Sequence, residues 1–177
     1  MSRLGDYFAS QCGNPRGIMG RILTWSMNRA NRVLYEGIVD ELDISDDTSI
    51  LDIGFGNGYL EKKIFEKGRC HITGIDISED MVQKAIELNQ VHVNKGNMVF
   101  KLGDCCDLDF NDRTFDVAAT INTIYFWEDT MKGLSEIYRV LKQDGVFYNA
   151  VLPKENLDKL CNIIFCSQGM SRIFFTR

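Results

Sequence analysis

The chain of 177 residues is 45% hydrophobic and 25% charged, the balance of an ordinary soluble globular protein with one domain and a buried core. Its formal net charge of −5 at pH 7 argues against a nucleic-acid partner, because contacts to phosphates need an extended basic surface. No apolar run reaches the length of a membrane span and no signal-peptide pattern appears, so we expect a cytoplasmic protein without stable membrane insertion.

The first 47 residues predict a helical segment that ends at Asp46-Asp47-Thr48. Five arginines between positions 1 and 35 make its start basic. We interpret them as a solvated face, with a membrane-surface helix, a targeting segment or an acidic substrate as alternatives. We divide the chain into an N-terminal helical segment, 1–47, and a main region, 48–177, within a single domain. The helix is predicted from one apolar stripe with steps of three or four, formed by Met19, Leu23, Met27, Ala30, Leu34, Ile38 and Leu42.

From residue 49 onward, predicted strands and helices alternate. The strands are expected at 49–53, 70–75, 98–102, 115–121 and 146–152, and helices at 59–67 and 78–89. A further helix carries Leu134, Ile137, Tyr138 and Leu141 on one face, and a turn at 143–145 separates it from the fifth strand. This alternation predicts an α/β fold, a doubly wound, mostly parallel sheet in three α/β/α layers.

A glycine-rich turn follows the first strand and is the most informative stretch of the chain. It reads Asp52-Ile-Gly54-Phe55-Gly56-Asn-Gly58, whereas a dinucleotide-binding turn reads G-x-G-x-x-G. Bare backbone beside a helix N-terminus lets a ligand approach closely. The acid Asp52 would repel a pyrophosphate, but it suits a ligand that carries an ammonium or sulfonium charge.

This turn resembles the first motif of class I S-adenosylmethionine-dependent methyltransferases. The resemblance extends over about 49–152, and it includes Tyr138-Arg-Val-Leu-Lys142 followed by Asp144-Gly145. It implies a Rossmann-like fold and S-adenosyl-L-methionine as the cofactor. A looser resemblance at Asn14-Pro-Arg-Gly17 and Met27-Asn28 implies that the N-terminal helical segment caps the cofactor. The cofactor-binding residues implied at the turn are Asp52, Gly54, Phe55, Gly56 and Gly58.

The ends of the next three strands supply the other candidate cofactor residues, because ligands bind at the carboxyl edge of such sheets. Asp76, followed by Ile77, can accept hydrogen bonds from both hydroxyls of a ribose. Asp104 and the backbone N–H of Cys105 match the edge of an adenine, and the resemblance assigns them there. The resemblance also places Asn122 near the methionine part of the cofactor.

The substrate side is less defined. Tyr125 and Trp127 follow Asn122 on the loop over the expected crevice, and either could contact a flat or apolar small-molecule acceptor. The alternative for this aromatic cluster is that at least Phe126, between them, belongs to the core. His71 and His92 are expected at the far side of the sheet, so no catalytic base is assigned. Methyl transfer needs mainly the alignment of nucleophile, methyl group and sulfur.

No metal site is predicted from the six cysteines. They show neither C-x-x-C spacing nor a dense framework, and we expect reduced thiols. Adjacent Cys105 and Cys106 are poorly spaced for zinc, and a thiol-based metalloid chemistry would need more converging cysteines.

The chain after strand five is shorter than the resemblance implies. The family adds a helix and an antiparallel strand pair, which needs about twice the residues that remain. We expect a helix at 155–166 and one short strand at 171–176. This leaves a sheet one strand short or an exposed edge beside 146–152, through which a homodimer could form.

The leading interpretation is therefore a methyltransferase that uses S-adenosyl-L-methionine to methylate a small molecule. A non-catalytic nucleoside-binding protein that lost its C-terminal strands is the main alternative, and a nicotinamide oxidoreductase is a distant third. The Asn/Asp-Pro-Pro-aromatic tetrad of base and glutamine N-methyltransferases is absent, since the chain reads Asn122-Thr-Ile-Tyr125.

Overall fold

The computed structural model describes residues 31–151 and the backbone of 170–174. In chain order the described elements are α1 (Arg32–Glu41), β1 (Ser49–Ile53), α2 (Tyr59–Lys67), β2 (His71–Asp76), α3 (Glu79–Leu88), α4 (Gln90–Asn94), β3 (Met98–Leu102), β4 (Phe115–Ile121), a 3₁₀ turn (Ile124–Phe126), α5 (Thr130–Val140), β5 (Leu141–Ala150) and β6 (Met170–Phe174).

The strands form one sheet in the order β3-β2-β1-β4-β5-β6, parallel from β3 to β5, with β6 antiparallel to β5. Successive residues of β1 pack into two different hydrophobic clusters. Ile50 belongs to the cluster with residues of α1, α2 and α3, and Leu51 belongs to the cluster with residues of α5. Both faces of the sheet are thus covered, which confirms the predicted doubly wound α/β fold. The strand order reverses between β1 and β4, so a crevice opens at their carboxyl ends.

Most of the predicted elements are confirmed, and the largest difference is at β5. Strands β1, β3 and β4 and helix α2 have the predicted bounds. Strand β5 begins at Leu141, because the predicted turn at 143–145 is an irregularity within the strand: Phe115 pairs with Leu141, and Val117 pairs with Val146. Asp144 adopts a φ of 61° in this irregularity. Leu141, predicted on the helix, is therefore the first residue of the strand.

Smaller differences concern helix ends and histidines. The predicted helix 78–89 spans Glu79–Leu88, and its N-cap Ser78 accepts a hydrogen bond from the Met81 N–H at 3.4 Å. The short helix α4 was not predicted. His92 within it packs its ring against Phe65, with centroids 4.0 Å apart, and His71 opens β2 at the amino edge. Both histidines lie away from the carboxyl edge, as predicted.

The outer edge of β5 is not free. Strand β6 pairs with it from Val146↔Phe174 to Ala150↔Met170. The expected short C-terminal strand is present, but the expected exposed edge, and with it a homodimer through residues 146–150, is wrong because β6 uses those backbone groups. The predicted helix 155–166 and the N-terminal stripe before residue 31 lie outside the described residues. The described part of that stripe, Leu34, Ile38 and Leu42, is buried.

No helix in the described part of the chain is long and apolar enough to cross a membrane.

One arginine of α5 holds the loop between β3 and β4. The Arg139 guanidinium donates to the carbonyl oxygens of Leu108 at 2.8 Å and Phe110 at 2.7 Å, and it pairs with Asp112 at 2.9 Å and Glu136 at 2.7 Å. Hydrogen bonds to the Glu136 and Asp112 side chains raise the pKa of Arg139. A planar fork makes these contacts together, which a lysine cannot do.

We expect Arg139→Lys to lower the free energy of unfolding by about 1–2 kcal/mol, because several hydrogen bonds to a charged group are lost. Urea denaturation followed by circular dichroism measures this loss. The control is Lys63→Ala, which removes an exposed pair with Glu66 and should leave the stability unchanged. Equal stability of the Arg139→Lys variant and the wild type would contradict the assigned role.

Candidate functional site

A cavity of about 550 Å³ opens at the carboxyl ends of β1 to β4 and is closed on one side by α1. Such a volume suits a small-molecule ligand. The predicted site residues that line it are Asp52, Gly54, Phe55, Gly56, Asp76, Ile77, Asp104, Cys105, Asn122 and Trp127. The structure therefore brings most of the candidates together in one place.

The turn after β1 presents backbone to this cavity. Gly54 has a φ of 72°, and a Cβ there would lie 2.5 Å from Cγ2 of Thr123, so this loop and the loop after β4 touch. Gly56 has a φ of 60°, and a Cβ there would meet no atom within 4 Å. A left-handed backbone with open space beside it is accessible to a ligand. Thr123, which sequence analysis did not identify, also lines the cavity.

Two predicted site residues do not line the cavity. Gly58 faces α3 instead: a Cβ would lie 2.7 Å from Nδ2 of Asn89 and 2.8 Å from Cβ of Ala85, and its carbonyl accepts from Asn89 at 2.9 Å. Tyr125 donates its hydroxyl to Oδ1 of Asn122 at 2.5 Å. Gly58 and Tyr125 therefore do not line the cavity themselves. Gly58 contacts α3, and Tyr125 contacts Asn122, which is a residue of the cavity wall.

Phe126 lines the cavity, although a place in the core was considered for it from the sequence. Its side chain is 64% exposed and lines the cavity, so it is not a core residue. The 3₁₀ turn Ile124–Phe126 directs it outward. Trp127 is half-buried and donates its indole N–H to Oγ1 of Thr123 at 3.2 Å.

Asp76 links the ends of β1 and β2. Its Oδ2 accepts the N–H of Gly56 at 3.0 Å, and its Oδ1 accepts the N–H of Ser78 at 2.9 Å. Burial raises the pKa of this carboxyl, and hydrogen bonds from the backbone groups of Gly56, Ser78 and Ile77 act in the opposite direction. Each carboxylate oxygen keeps a second lone pair for a ligand.

Asp104 and the two cysteines follow β3. Asp104 is exposed, and its Oδ1 accepts the N–H of Cys106 at 2.8 Å. The Sγ atoms of Cys105 and Cys106 lie 3.9 Å apart, and together with an Asp104 oxygen they form a group within 4.8 Å. Burial raises the pKa of the Cys105 thiol.

A hydrogen bond joins α1 to the loop after β4. Nδ2 of Asn122 donates to Oδ1 of Asn31 at 2.8 Å, over 91 positions of sequence. Asn122 has a φ of 56°, in the left-handed region. Tyr35 on α1 also lines the cavity, and burial raises its pKa to about 12. The apolar stripe predicts helix α1, and the looser resemblance places the N-terminal helical segment over the cofactor, but neither identifies Asn31 or Tyr35 as residues that line the cavity.

Behind the cavity lies a pair of buried carboxyl groups. Asp52, which lines the cavity, is 2% exposed, and Glu61 on α2 is fully buried. Burial, with the nearby charge of Asp76, raises the pKa of Asp52 to about 7, and the adjacent Glu61 side chain acts in the opposite direction. Burial and the charge of Asp52 raise the pKa of Glu61. Glu61 is not among the residues predicted for the site, although its place between the apolar Leu60 and Ile64 on α2 is a possible signal.

Comparisons with known proteins agree with this architecture. The methyltransferase domain family matches residues 51–149, more than half of the chain. YrhH of Bacillus subtilis, which is named as a methyltransferase, is 33% identical over 115 residues, covering 64% of this chain and 63% of its own. The ubiquinone/menaquinone biosynthesis C-methyltransferase UbiE of Citrifermentans bemidjiense is 29% identical over 154 residues, covering 82% of this chain and 63% of its own.

Among solved structures, the YcgJ protein of Bacillus subtilis superposes with a TM-score of 0.60 at 28% identity, covering 67% of this chain and 50% of its own. The chain thus spans less than two thirds of the length of these three proteins. The matched segment contains the glycine turn, Asp76, Asp104 and Asn122. The chain therefore belongs to the methyltransferase domain family, and its fold is that of the class I S-adenosylmethionine-dependent methyltransferases.

Proposed function

We propose that this protein binds S-adenosyl-L-methionine in the cavity at the carboxyl edge of the sheet and transfers its methyl group to a small-molecule acceptor. The observation that carries the proposal is the position of the Asp76 carboxylate against the backbone N–H of Gly56, in the cavity that Gly54 also lines, in a chain of this family. The proposed cofactor contacts are Asp52, Gly54, Phe55, Gly56, Asp76, Ile77, Asp104, Cys105 and Asn122.

The geometry suggests a role for each acid. Asp76 is held by two backbone N–H groups and offers its remaining lone pairs to the ribose hydroxyls. Asp104 and the Cys105 N–H receive the adenine edge. Asp52 supplies negative charge for the cationic end of the cofactor. Once the cofactor is held, in-line transfer depends mainly on alignment of the acceptor.

Phe126 and Trp127 are the proposed acceptor-side contacts, since both line the cavity beyond Asn122. Aromatic walls suit an acceptor with a flat or apolar part. The relative UbiE, named for quinone biosynthesis, is consistent with such an acceptor. Tyr35 is not a base at neutral pH, because its raised pKa keeps the phenol protonated. The catalytic roles beyond positioning stay unassigned.

The same proposal includes an N-terminal cap and a cytoplasmic location. Residues 1–47 are proposed to cover the cofactor, which is supported by the bond between Asn31 and Asn122 and by Tyr35 in the cavity wall. The free thiols of Cys70, Cys105 and Cys106 suit a reducing compartment.

The test is isothermal titration calorimetry of the folded wild-type protein with S-adenosylhomocysteine, which should bind with a stoichiometry of one. NAD serves as the control ligand and should not bind. Transfer of label from methyl-labelled S-adenosylmethionine to fractions of a metabolite extract and to soluble quinones then identifies the acceptor. A folded protein that does not bind S-adenosylhomocysteine would contradict the proposal, and binding without turnover of any acceptor would restrict it to the cofactor.

A further inference from the structure

Glu61 is the most unusual buried group in the described part of the chain. It is fully buried, and neither carboxyl oxygen receives a hydrogen bond from a donor of the protein. It also takes part in none of the ion pairs between described residues. An isolated buried carboxylate is very unfavourable, so a functional or structural partner is required.

The neighbour of Glu61 is another acid. Asp52 lies close enough to Glu61 for its charge to raise the pKa of Glu61, and a proton held between the two carboxyl groups favours the ionised form of Asp52 and the neutral form of Glu61. Two neighbouring buried carboxyl groups without a cation beside them are not both ionised. The arrangement with the lowest cost puts a proton on Glu61, whose O–H donates to Asp52. Asp52 then presents one negative charge to the cavity that it lines.

The other titratable groups around the pair do not change this balance. Asp76 on β2 faces both acids and adds negative charge, and Tyr35 on α1 is a neutral phenol close to them. Neither acid has a lysine, arginine or histidine as an ion-pair partner between residues 31 and 151. Among residues 31–151, then, no side chain pairs a positive charge with either acid, and a cationic ligand in the cavity would supply one.

We propose that Glu61 is a positioning residue that shares one proton with Asp52 and releases it to solvent when a cationic ligand binds in the cavity. The inference rests on the proposed function, because it takes the methyl donor as that ligand. The donor carries an ammonium and a sulfonium, and either charge near Asp52 favours full ionisation of the pair. The affinity for the methyl donor therefore increases with pH, because the free energy needed to remove the shared proton decreases as the pH rises.

The experiment measures protons rather than turnover. Wild-type protein is titrated with S-adenosylmethionine at pH 7 in phosphate and in Tris, two buffers with very different ionisation enthalpies. The dependence of the observed enthalpy on the buffer gives the number of protons released. We expect net release for the wild type and a clear loss of that release for Glu61→Gln, whose amide still donates to Asp52 but cannot be deprotonated. The ligand's own amine contributes equally to both proteins.

The matched control is Glu66→Gln on the same helix, where Glu66 is exposed and paired with Lys63. It should release as many protons as the wild type. Stoichiometric binding by the wild type with the same enthalpy in both buffers, or equal release by wild type and Glu61→Gln, would overturn the inference while the proposed function stands. No binding of S-adenosylmethionine or S-adenosylhomocysteine would overturn both.

A measurement without ligand tests the shared proton directly. Because burial raises the pKa of both acids in the folded state, the folded protein binds protons more tightly than the unfolded chain. Its stability relative to Glu61→Gln should fall as the pH rises from the ordinary carboxyl pKa of about 4 toward 7. We expect the melting temperature of Glu61→Gln minus that of the wild type to increase from pH 5 to pH 8. A constant difference would contradict the shared proton.

Discussion

Replacing Gly58 with alanine is expected to lower the free energy of unfolding by about 2–4 kcal/mol. Two costs add at this position. The φ of 78° is unfavourable for a residue with a Cβ, and the new Cβ would lie 2.8 Å from Cβ and 2.9 Å from Cα of Ala85. The second contact is with helix backbone, so α2 and α3 have to move apart. Urea denaturation followed by circular dichroism gives the change in unfolding free energy.

Gly96→Ala separates the two costs. Gly96 has a φ of 75°, close to that of Gly58, but a Cβ there would meet no atom within 4 Å. This variant should lose only the conformational part, about 1 kcal/mol. A similar loss for both variants would show that the packing of Gly58 against α3 adds nothing. A larger loss for Gly58→Ala supports its assignment as a contact between helices rather than a cavity residue.

The sheet and its carboxyl edge were predictable because local patterns determine them. Short apolar runs bounded by turns gave β1, β3 and β4 at their observed bounds. The parallel arrangement follows from the alternation of strands and helices, and it brings the residues that follow the strands to one edge. Asp76 and Asp104 could therefore be assigned to one cavity from the sequence.

Contacts between distant segments were not predictable. The bond from Asn31 to Asn122 depends on where α1 crosses the sheet, which the sequence pattern does not contain. For Phe126 a place in the core was the alternative to a contact with the acceptor, and its side chain is exposed on a 3₁₀ turn. The turn at 143–145 became part of β5 because pairing with β4 continues on either side of it. Tertiary pairing decided each case, and local preference did not.

The acids of the site illustrate the same difference. Asp52 was recognisable from its distance to Gly54, but its partner Glu61 lies nine positions later and on a helix that looked amphipathic. A helix turn places Glu61 with Leu60 and Ile64 on the buried side. The negative charge in the cavity therefore depends on both Asp52 and Glu61, and the glycine-turn motif identifies only Asp52.

Asp76→Ala is expected to weaken binding of S-adenosylhomocysteine by at least about 100-fold, or about 3 kcal/mol. The carboxylate is the proposed acceptor of both ribose hydroxyls, and hydrogen bonds to a charged group are individually strong. The variant also leaves the N–H groups of Gly56 and Ser78 without their acceptor, so the glycine turn loses its fixed position. Calorimetry at a temperature well below unfolding measures the loss.

The control is Asp116→Ala, at the start of β4 and thus at the opposite edge of the sheet. The Asp116 carboxylate also accepts a strand N–H, from Ser49 at 2.9 Å, and it pairs with Lys142 at 2.8 Å. Its loss should reduce stability while the affinity for S-adenosylhomocysteine stays that of the wild type. If both variants bind as tightly as the wild type, Asp76 does not hold the ribose. If both weaken binding equally, the effect comes from the stability of the sheet, and only selective loss in Asp76→Ala identifies the carboxyl edge as the cofactor site.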